Sequence, residues 1–163
     1  MSSIVGIDPD TKAITGVGLE TGKEPNIWRV EAKGRRAEDR IEKLFTSLRL
    51  TFFSDIPADW VYIELPVLGQ FRGKTNPKAL RDQSVVIGMI RYWLWSHNQP
   101  HSMVDNGTWK KGVIGNGHAS KEEIAAYAQR VLHIPADHPQ DVYDAACIAA
   151  WGVGHTPELS GGK

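Results

Sequence analysis

The chain has 163 residues, of which 41% are hydrophobic and 9% aromatic, including six tryptophans. This length suits a single domain, and the apolar content supports a buried core and argues against an intrinsically disordered chain. Nineteen basic residues balance nineteen acidic ones, so the net charge is zero. A nucleic-acid partner would therefore have to bind local clusters of basic residues.

The amino terminus and the cysteine content indicate where the protein works. The first eight residues have no basic leader, and the most apolar run, Val85 to Trp95, is too short to span a membrane and contains Arg91. The single cysteine, Cys147, lies within an apolar run and predicts a buried thiol without a disulfide. We therefore expect a cytoplasmic protein with no membrane association.

The first half of the chain predicts three strands and a helix. Strands are expected at Ser3–Pro9, Ala13–Glu20 and Asn26–Ala32, and their short connections favour an antiparallel meander. A helical period follows from Ala37 to Phe53. Its predicted inward face consists of Ile41, Leu44, Phe45, Leu48 and Phe52.

The second half alternates strands with helices. The predicted elements are a strand Asp59–Leu65, a helix Asn76–Trp95, a strand His101–Asp105, a helix opened by the capping box Ser120–Glu123, and a helix Gln140–Trp151. The capping-box helix is expected to place Ile124, Tyr127, Ala128 and Val131 inward.

This order predicts an α/β fold with a mixed five-stranded sheet, three strands antiparallel and two parallel, flanked by helices. Residues 1–154 are expected to form one domain and residues 155–163 a flexible tail rich in glycine, serine and proline.

Four carboxylates occupy positions that suggest a metal site. Asp8 lies near the end of the first strand and Glu64 near the end of the fourth, while Asp141 and Asp144 share a face of the last helix. Acids beside buried strands are costly unless they are paired or bound to metal. Carboxylate oxygens are the ligands that Mg²⁺ prefers, and two such ions can support phosphodiester hydrolysis.

Each acid also has a structural alternative. Asp8 could cap the turn at Pro9, and Glu64 could pair with a basic residue of the loop that follows it. Asp141 could favour the dipole of its helix, and Asp144 could be an exposed helix charge. The four together point to a metal-dependent nuclease.

The basic residues form three clusters in the sequence. The first consists of Arg29, Lys33, Arg35, Arg36, Arg40 and Lys43, the second of Arg72, Lys74, Lys78 and Arg81, and the third of Lys110, Lys111, His118 and Lys121. Solvated surface charge is the alternative explanation for each cluster. We expect Arg72 and Lys74 of the second cluster to contact DNA.

Three motifs resemble the RuvC family of Holliday-junction resolvases. The segment Ile4–Pro9, followed by Thr15–Gly18, is similar to that family's first-strand signature. Lys110–Lys121 is similar to its glycine-rich basic loop and helix start, and Asp141–Ala145 to its closing acidic pair. The first motif alone is weak because actin-like ATPases also carry an early Gly-Ile-Asp, but the three motifs in this order are specific.

The resemblance implies an RNase H-like nuclease that resolves four-way DNA junctions by paired nicks and leaves 5′-phosphate and 3′-hydroxyl ends. It implies a homodimer and two Mg²⁺ ions per site, for which Mn²⁺ can substitute. The implied metal ligands are Asp8, Glu64, Asp141 and Asp144.

The same resemblance implies roles for basic and aromatic side chains. Lys121 would lie near the scissile phosphate, and Lys110 and Lys111 would contact DNA. Phe71 would stack on a base at the opened crossover, unless it covers the core as an ordinary loop aromatic. The Asn76–Trp95 helix, apolar around much of its circumference, is either the dimer interface or part of the monomer core.

Three departures from the family pattern suggest a divergent, phage-type member. Asp10 stands where a glycine is usual and adds negative charge near the expected metals, and Leu65-Pro66 replaces a glutamine after Glu64. Both closing acids are aspartates, and His138 is a helix-start residue rather than a ligand because Mg²⁺ prefers oxygen.

Two other functions remain open from the sequence. The chain could be a related nuclease of the YqgF type acting on RNA, or a junction-binding protein without catalysis. The presence of all four acids disfavours a purely binding role. An actin-like ATPase is disfavoured because that fold needs two similar halves.

Overall fold

The computed structural model describes residues 3–48, 58–66 and 76–156. Within these ranges, five strands form one sheet: β1 (Ser3–Pro9), β2 (Ala13–Glu20), β3 (Asn26–Glu31), β4 (Trp60–Glu64) and β5 (His101–Val104). The same ranges contain five helices: α1 (Ala37–Ser47), α2 (Pro77–Ser96), α3 (Asn106–Ile114), α4 (Lys121–Val131) and α5 (Gln140–Val153).

The sheet has the mixed topology that the sequence predicts. Its strand order is β3-β2-β1-β4-β5, with β1–β2 and β2–β3 antiparallel and β1–β4 and β4–β5 parallel. The central strand β1 is apolar at consecutive positions because helices cover both of its faces.

Two apolar cores lie on opposite faces of this sheet. One is built from α3, α4 and α5 with side chains of the sheet, among them Trp109, Ile124 and Ile148. The other is built from α1 and α2, with Leu44, Val86 and Ile90. Cys147 belongs to the first core, where burial raises the pKa of its thiol to about 12, so it is the inert core residue that the sequence suggests.

A close approach between α5 and β1 fixes the position of the last helix. A Cβ atom at Gly6 would overlap the carbonyl oxygen of Ala145 and the amide nitrogen of Ala149. Only glycine lets the helix backbone lie this close to the strand. Since Asp141 and Asp144 precede Ala145 on α5, this contact brings both acids toward the end of β1.

The main correction concerns α3, which the sequence analysis did not predict. Residues assigned to a glycine-rich basic loop, including Lys110 and Lys111, instead lie on a nine-residue helix. Its amino terminus is capped by Asp105, whose Oδ1 accepts a hydrogen bond from the Thr108 amide at 2.9 Å. Gly115, with φ of 87°, ends it.

Smaller corrections concern helix faces. Helix α1 is described over Ala37–Ser47, and its predicted end at Phe53 lies within residues 49–57, outside the described ranges. Phe45 and Val131, expected to face inward, are 38% and 48% exposed. Most of the predicted tail also lies outside those ranges. At its start, Thr156 Oγ1 donates to the Gly152 carbonyl at 2.7 Å. Across the described ranges, every helix falls short of the length or the apolar character needed to cross a membrane.

Candidate active site

Parallel pairing of β1 with β4 brings Asp8 and Glu64 to the same edge of the sheet. The register pairs Ile7 with Ile63, and each acid is the next residue along its strand. On the other side of β1, Asp8 lies opposite Thr15 of β2. The two strand-end carboxylates therefore lie on neighbouring strands.

Helix α5 brings the remaining two acids to this edge. Thr15 Oγ1 donates to Asp141 Oδ2 at 2.8 Å, which places Asp141 beside the strand residue that faces Asp8. Asp144 lies about one turn further along α5, where Gln140 Nε2 donates to its Oδ1 at 2.9 Å. All four predicted acids thus converge on one region.

The electrostatics of Asp8 reflect this convergence. Burial raises the pKa of Asp8 well above its usual value, and the charges of Glu64, Asp144, Asp141 and Asp10 raise it further, in that order. The contribution of Asp10 agrees with the expectation that this residue adds negative charge to the site. The negative charges of these acids therefore disfavour the ionised form of Asp8 in the metal-free protein.

The pKa of Asp144 is also raised by burial and by neighbouring acids. Burial raises its pKa to about 6, opposed by the hydrogen bond from Gln140, while Glu64 raises it and the Lys110 charge lowers it. Asp144 is therefore not the fully solvated helix charge considered as an alternative. Lys110 is close enough to act as a counter-charge to it.

Glu64 is held by donors from α3. Its Oε1 accepts hydrogen bonds from Asn106 Nδ2 at 2.6 Å and from Trp109 Nε1 at 2.8 Å. The Glu64 side chain is buried, and Trp109 is completely buried. The alternative partner, a basic residue in the loop after Glu64, falls within 67–75 and so outside the described ranges.

Asp141 is held in a similar way, through one oxygen. Besides Thr15, Arg29 of β3 donates to Oδ2 through its Nε at 2.8 Å, and the same guanidinium pairs with Glu31. The other oxygen, Oδ1, is buried and has no hydrogen-bond partner within residues 3–48, 58–66 and 76–156. A buried carboxylate oxygen without a partner is costly, and a bound cation would satisfy it.

The turn after β1 is stabilised without help from Asp8. The amide of Thr11 donates to Asp10 Oδ1 at 2.6 Å, and Gln83 of α2 donates to the Pro9 carbonyl at 2.9 Å. Asp10 and not Asp8 supplies the side-chain acceptor of this turn, so capping does not explain Asp8.

The donor set suits a hard divalent cation, although the side chains do not yet form a ligand sphere. In residues 3–48, 58–66 and 76–156, no three His, Cys, Asp or Glu side chains are arranged so that they could hold a metal ion. The carboxylates offer the oxygen ligands that Mg²⁺ prefers, and Asp141 Oδ1 accepts no hydrogen bond from the residues that the structure describes.

The basic residues assigned to DNA lie at different distances from the acids. Lys110 is half-buried on α3, with its Nζ 5.5 Å from the centre of the Trp109 ring, and its charge reaches Asp144. Lys111 is exposed on the same helix. Lys121, also exposed, begins α4, but its charge is not among those that shift the pKa of Asp8 or Asp144. Phe71, Arg72 and Lys74 lie outside the described residues.

Sequence reasoning missed the residues that hold the acids. These are Thr15, Arg29, Asn106, Trp109 and Gln140. The one available signal was Asp105 three residues before Thr108, a typical helix start that would have placed Asn106 and Trp109 on one face of a helix. The partners of Asp141 on β2 and β3 carry no local signal.

Comparison with known proteins gives a consistent set of distant relatives. No family model matches the chain. It is 24% identical over 156 residues to the crossover junction endodeoxyribonuclease RuvC of Citrifermentans bemidjiense, covering 90% of this chain and 88% of that protein. Against the RuvC of Porphyromonas gingivalis the identity is 26% over 162 residues, covering 97% and 83%.

Solved structures match over nearly the whole fold. Thermus thermophilus RuvC is similar with a TM-score of 0.67 and 20% identity, covering 93% of this chain and 95% of that one. The same protein in complex with a Holliday junction substrate gives a TM-score of 0.68 at 19% identity, covering 94% and 93%. The chain thus has the RNase H-like fold seen in these structures.

Proposed function

We propose that this chain, a divergent relative of the RuvC family of crossover junction endonucleases, is a metal-dependent endonuclease that resolves four-way DNA junctions. The observation that carries the proposal is the convergence of Asp8, Glu64, Asp141 and Asp144 at one edge of the sheet. A purely structural role would not favour four mutually repelling acids around one strand end.

The proposed metal ligands are these four carboxylates, which fit two Mg²⁺ ions, with Mn²⁺ as a substitute. When bound, the ions would supply an activated water and charge stabilisation for hydrolysis of a phosphodiester bond. Asp141 Oδ1, already desolvated and without a hydrogen-bond partner in the described part of the chain, fits the role of a ligand atom. Cleavage on the side that leaves 5′-phosphate and 3′-hydroxyl ends yields products that a ligase can join.

The residues proposed to contact DNA are basic side chains and one aromatic side chain. Lys121 is proposed to lie near the scissile phosphate, and Lys110, whose charge lowers the pKa of Asp144, and Lys111 are proposed to contact DNA. Arg72 and Lys74, in the segment after Glu64, are proposed further phosphate contacts, and Phe71 a base-stacking residue.

A homodimer would give two such sites for paired, symmetric nicks. The exposed stripe of α2 is the proposed interface: Val85, Tyr92 and Trp95 are 47%, 64% and 72% exposed. Their spacing of seven and three residues puts them on one side of the helix, away from the buried Val86, Ile90 and Leu94.

A cleavage assay on labelled substrates tests the proposal. The protein is incubated with a synthetic four-way junction, a matched duplex and a matched RNA hairpin, each with Mg²⁺, Mn²⁺ or EDTA. We expect nicks in opposing strands of the junction that need a divalent ion and that a DNA ligase can seal. Preferential cleavage of the RNA would favour the YqgF-type alternative, and junction binding without cleavage in either metal would favour a binding protein.

A further inference from the structure

Helix α3 holds one acid of the candidate site through two side chains on the same face. Asn106 and Trp109 are three residues apart, so both point to one side of the helix. Both donate to the same oxygen of Glu64, Oε1, at 2.6 and 2.8 Å. Among the described residues, the other oxygen accepts no hydrogen bond, so the pair of donors sets which oxygen stays open.

The side chains of Glu64 and Trp109, which share one of these hydrogen bonds, are buried in the protein. Trp109 is completely buried and Glu64 nearly so, which excludes water as a competing partner for the indole N–H. Hydrogen bonds from neutral donors to a carboxylate are stronger than neutral pairs and fix its orientation. A Cβ atom at Gly112 would overlap the ring of Trp151, so α3 packs directly on α5 and cannot easily shift.

We infer that Asn106 and Trp109 are positioning residues, which orient Glu64 so that its Oε2 is presented to the bound cation. The inference rests on the proposed function. It also gives α3 two roles, because the helix that orients Glu64 carries Lys110 and Lys111 as well. Residues that orient a metal ligand typically change metal affinity about 10–100-fold when they are replaced.

The test compares three single variants with the wild-type protein. Trp109→Phe keeps the aromatic ring and removes the N–H, and Asn106→Leu removes the amide donor at nearly constant size. Trp60→Phe is the matched control, because Trp60 Nε1 donates to Ser102 Oγ at 3.1 Å, on the β4–β5 pair but away from Glu64. Calorimetric titration with Mn²⁺ measures metal affinity, and thermal unfolding in EDTA measures stability.

We expect Trp109→Phe and Asn106→Leu to weaken Mn²⁺ binding about tenfold or more, while Trp60→Phe binds as the wild type does. Junction binding in EDTA should be unchanged, and raising the Mn²⁺ concentration should restore nicking. Wild-type Mn²⁺ affinity in both variants would overturn the inference, because a purely structural role lowers the midpoint in EDTA without changing metal affinity. If Trp109→Phe does not fold, Asn106→Leu decides.

If the proposed function is wrong, the same assays give a different result. In that case the wild-type protein itself binds no Mn²⁺ and leaves the junction intact. A wild type that binds Mn²⁺ and nicks, together with variants that match it in both, removes only the role assigned to Asn106 and Trp109.

Discussion

At the scale of single residues, Asp8 gives the sharpest test of the site. Its carboxylate is surrounded by other acids, and none of the described donors forms a hydrogen bond with it. Asp8→Asn should lower the nicking rate roughly 100-fold or more, because several kcal/mol of charge stabilisation by metal would be lost. The single-turnover rate on a labelled junction measures this.

The same substitution should stabilise the metal-free protein. The pKa of Asp8 is raised in the folded state, so an ionised Asp8 costs stability above its unfolded pKa of about 3.9, and the cost grows until the pH passes the folded value. In EDTA at pH 7 the variant should therefore unfold at a higher temperature than the wild type. This difference should disappear near pH 4, as differential scanning fluorimetry across pH can show.

Asp10→Asn is the matched control, since Asp10 is exposed and contributes least to the pKa of Asp8, and asparagine can still accept the Thr11 amide. We expect it to nick normally. A folded Asp8→Asn protein that nicks at the wild-type rate would contradict the two-metal site. If the variant instead unfolded at a lower temperature in EDTA and lost activity only in proportion to its unfolded fraction, Asp8 would have a structural role.

At the scale of elements, α3 should determine how strongly junction binding depends on salt. Lys110 and Lys111 add two charges to one helix next to the acids. Each phosphate that a lysine neutralises contributes about −0.9 to the log–log slope of affinity against salt on duplex DNA. Replacing both lysines by alanine should make the slope shallower by about one to two units, measured by fluorescence anisotropy in EDTA.

Lys23→Ala provides the control for this slope. Lys23 is exposed, pairs with Glu20 at 2.7 Å, and lies beyond the end of β2 opposite to the one that faces Asp8. We expect it to bind with the wild-type slope. If the double alanine variant does so too, α3 does not face the DNA backbone.

At the scale of the whole molecule, the exposed stripe of α2 predicts self-association. Exposed aromatic and aliphatic side chains on one helix face are typical of an interface. Light scattering should give twice the 18.1 kDa chain mass at micromolar protein. Tyr92→Ser combined with Trp95→Ser should shift the protein toward monomer and uncouple the two nicks.

Val153→Ser is the control for that substitution, because Val153 is 60% exposed on α5, outside the stripe. It should remain dimeric. A wild-type protein that stays at 18.1 kDa with and without junction DNA would exclude the dimer proposed here.

The sequence by itself determined most elements, and it singled out four acids that the structure brings into one region. Strands β1 and β2 have the predicted limits, and the Ser120 capping box forms as expected, with Ser120 N donating to Glu123 Oε2 at 2.7 Å. These features depend on periodicity and capping, which act over a few residues. Helix α3 was missed because it is short and contains Gly107 and Gly112, which weaken helical propensity.

Only the tertiary structure decided how the acids are held. Arg29 reaches Asp141 across 112 positions of sequence, and Trp109 reaches Glu64 across 45. Such pairs form because β4 inserts beside β1 and because Gly6 lets α5 cross the strand at close range. Strand order and helix approach are set by packing of the entire core, so no local pattern in the chain encodes which donor meets which carboxylate.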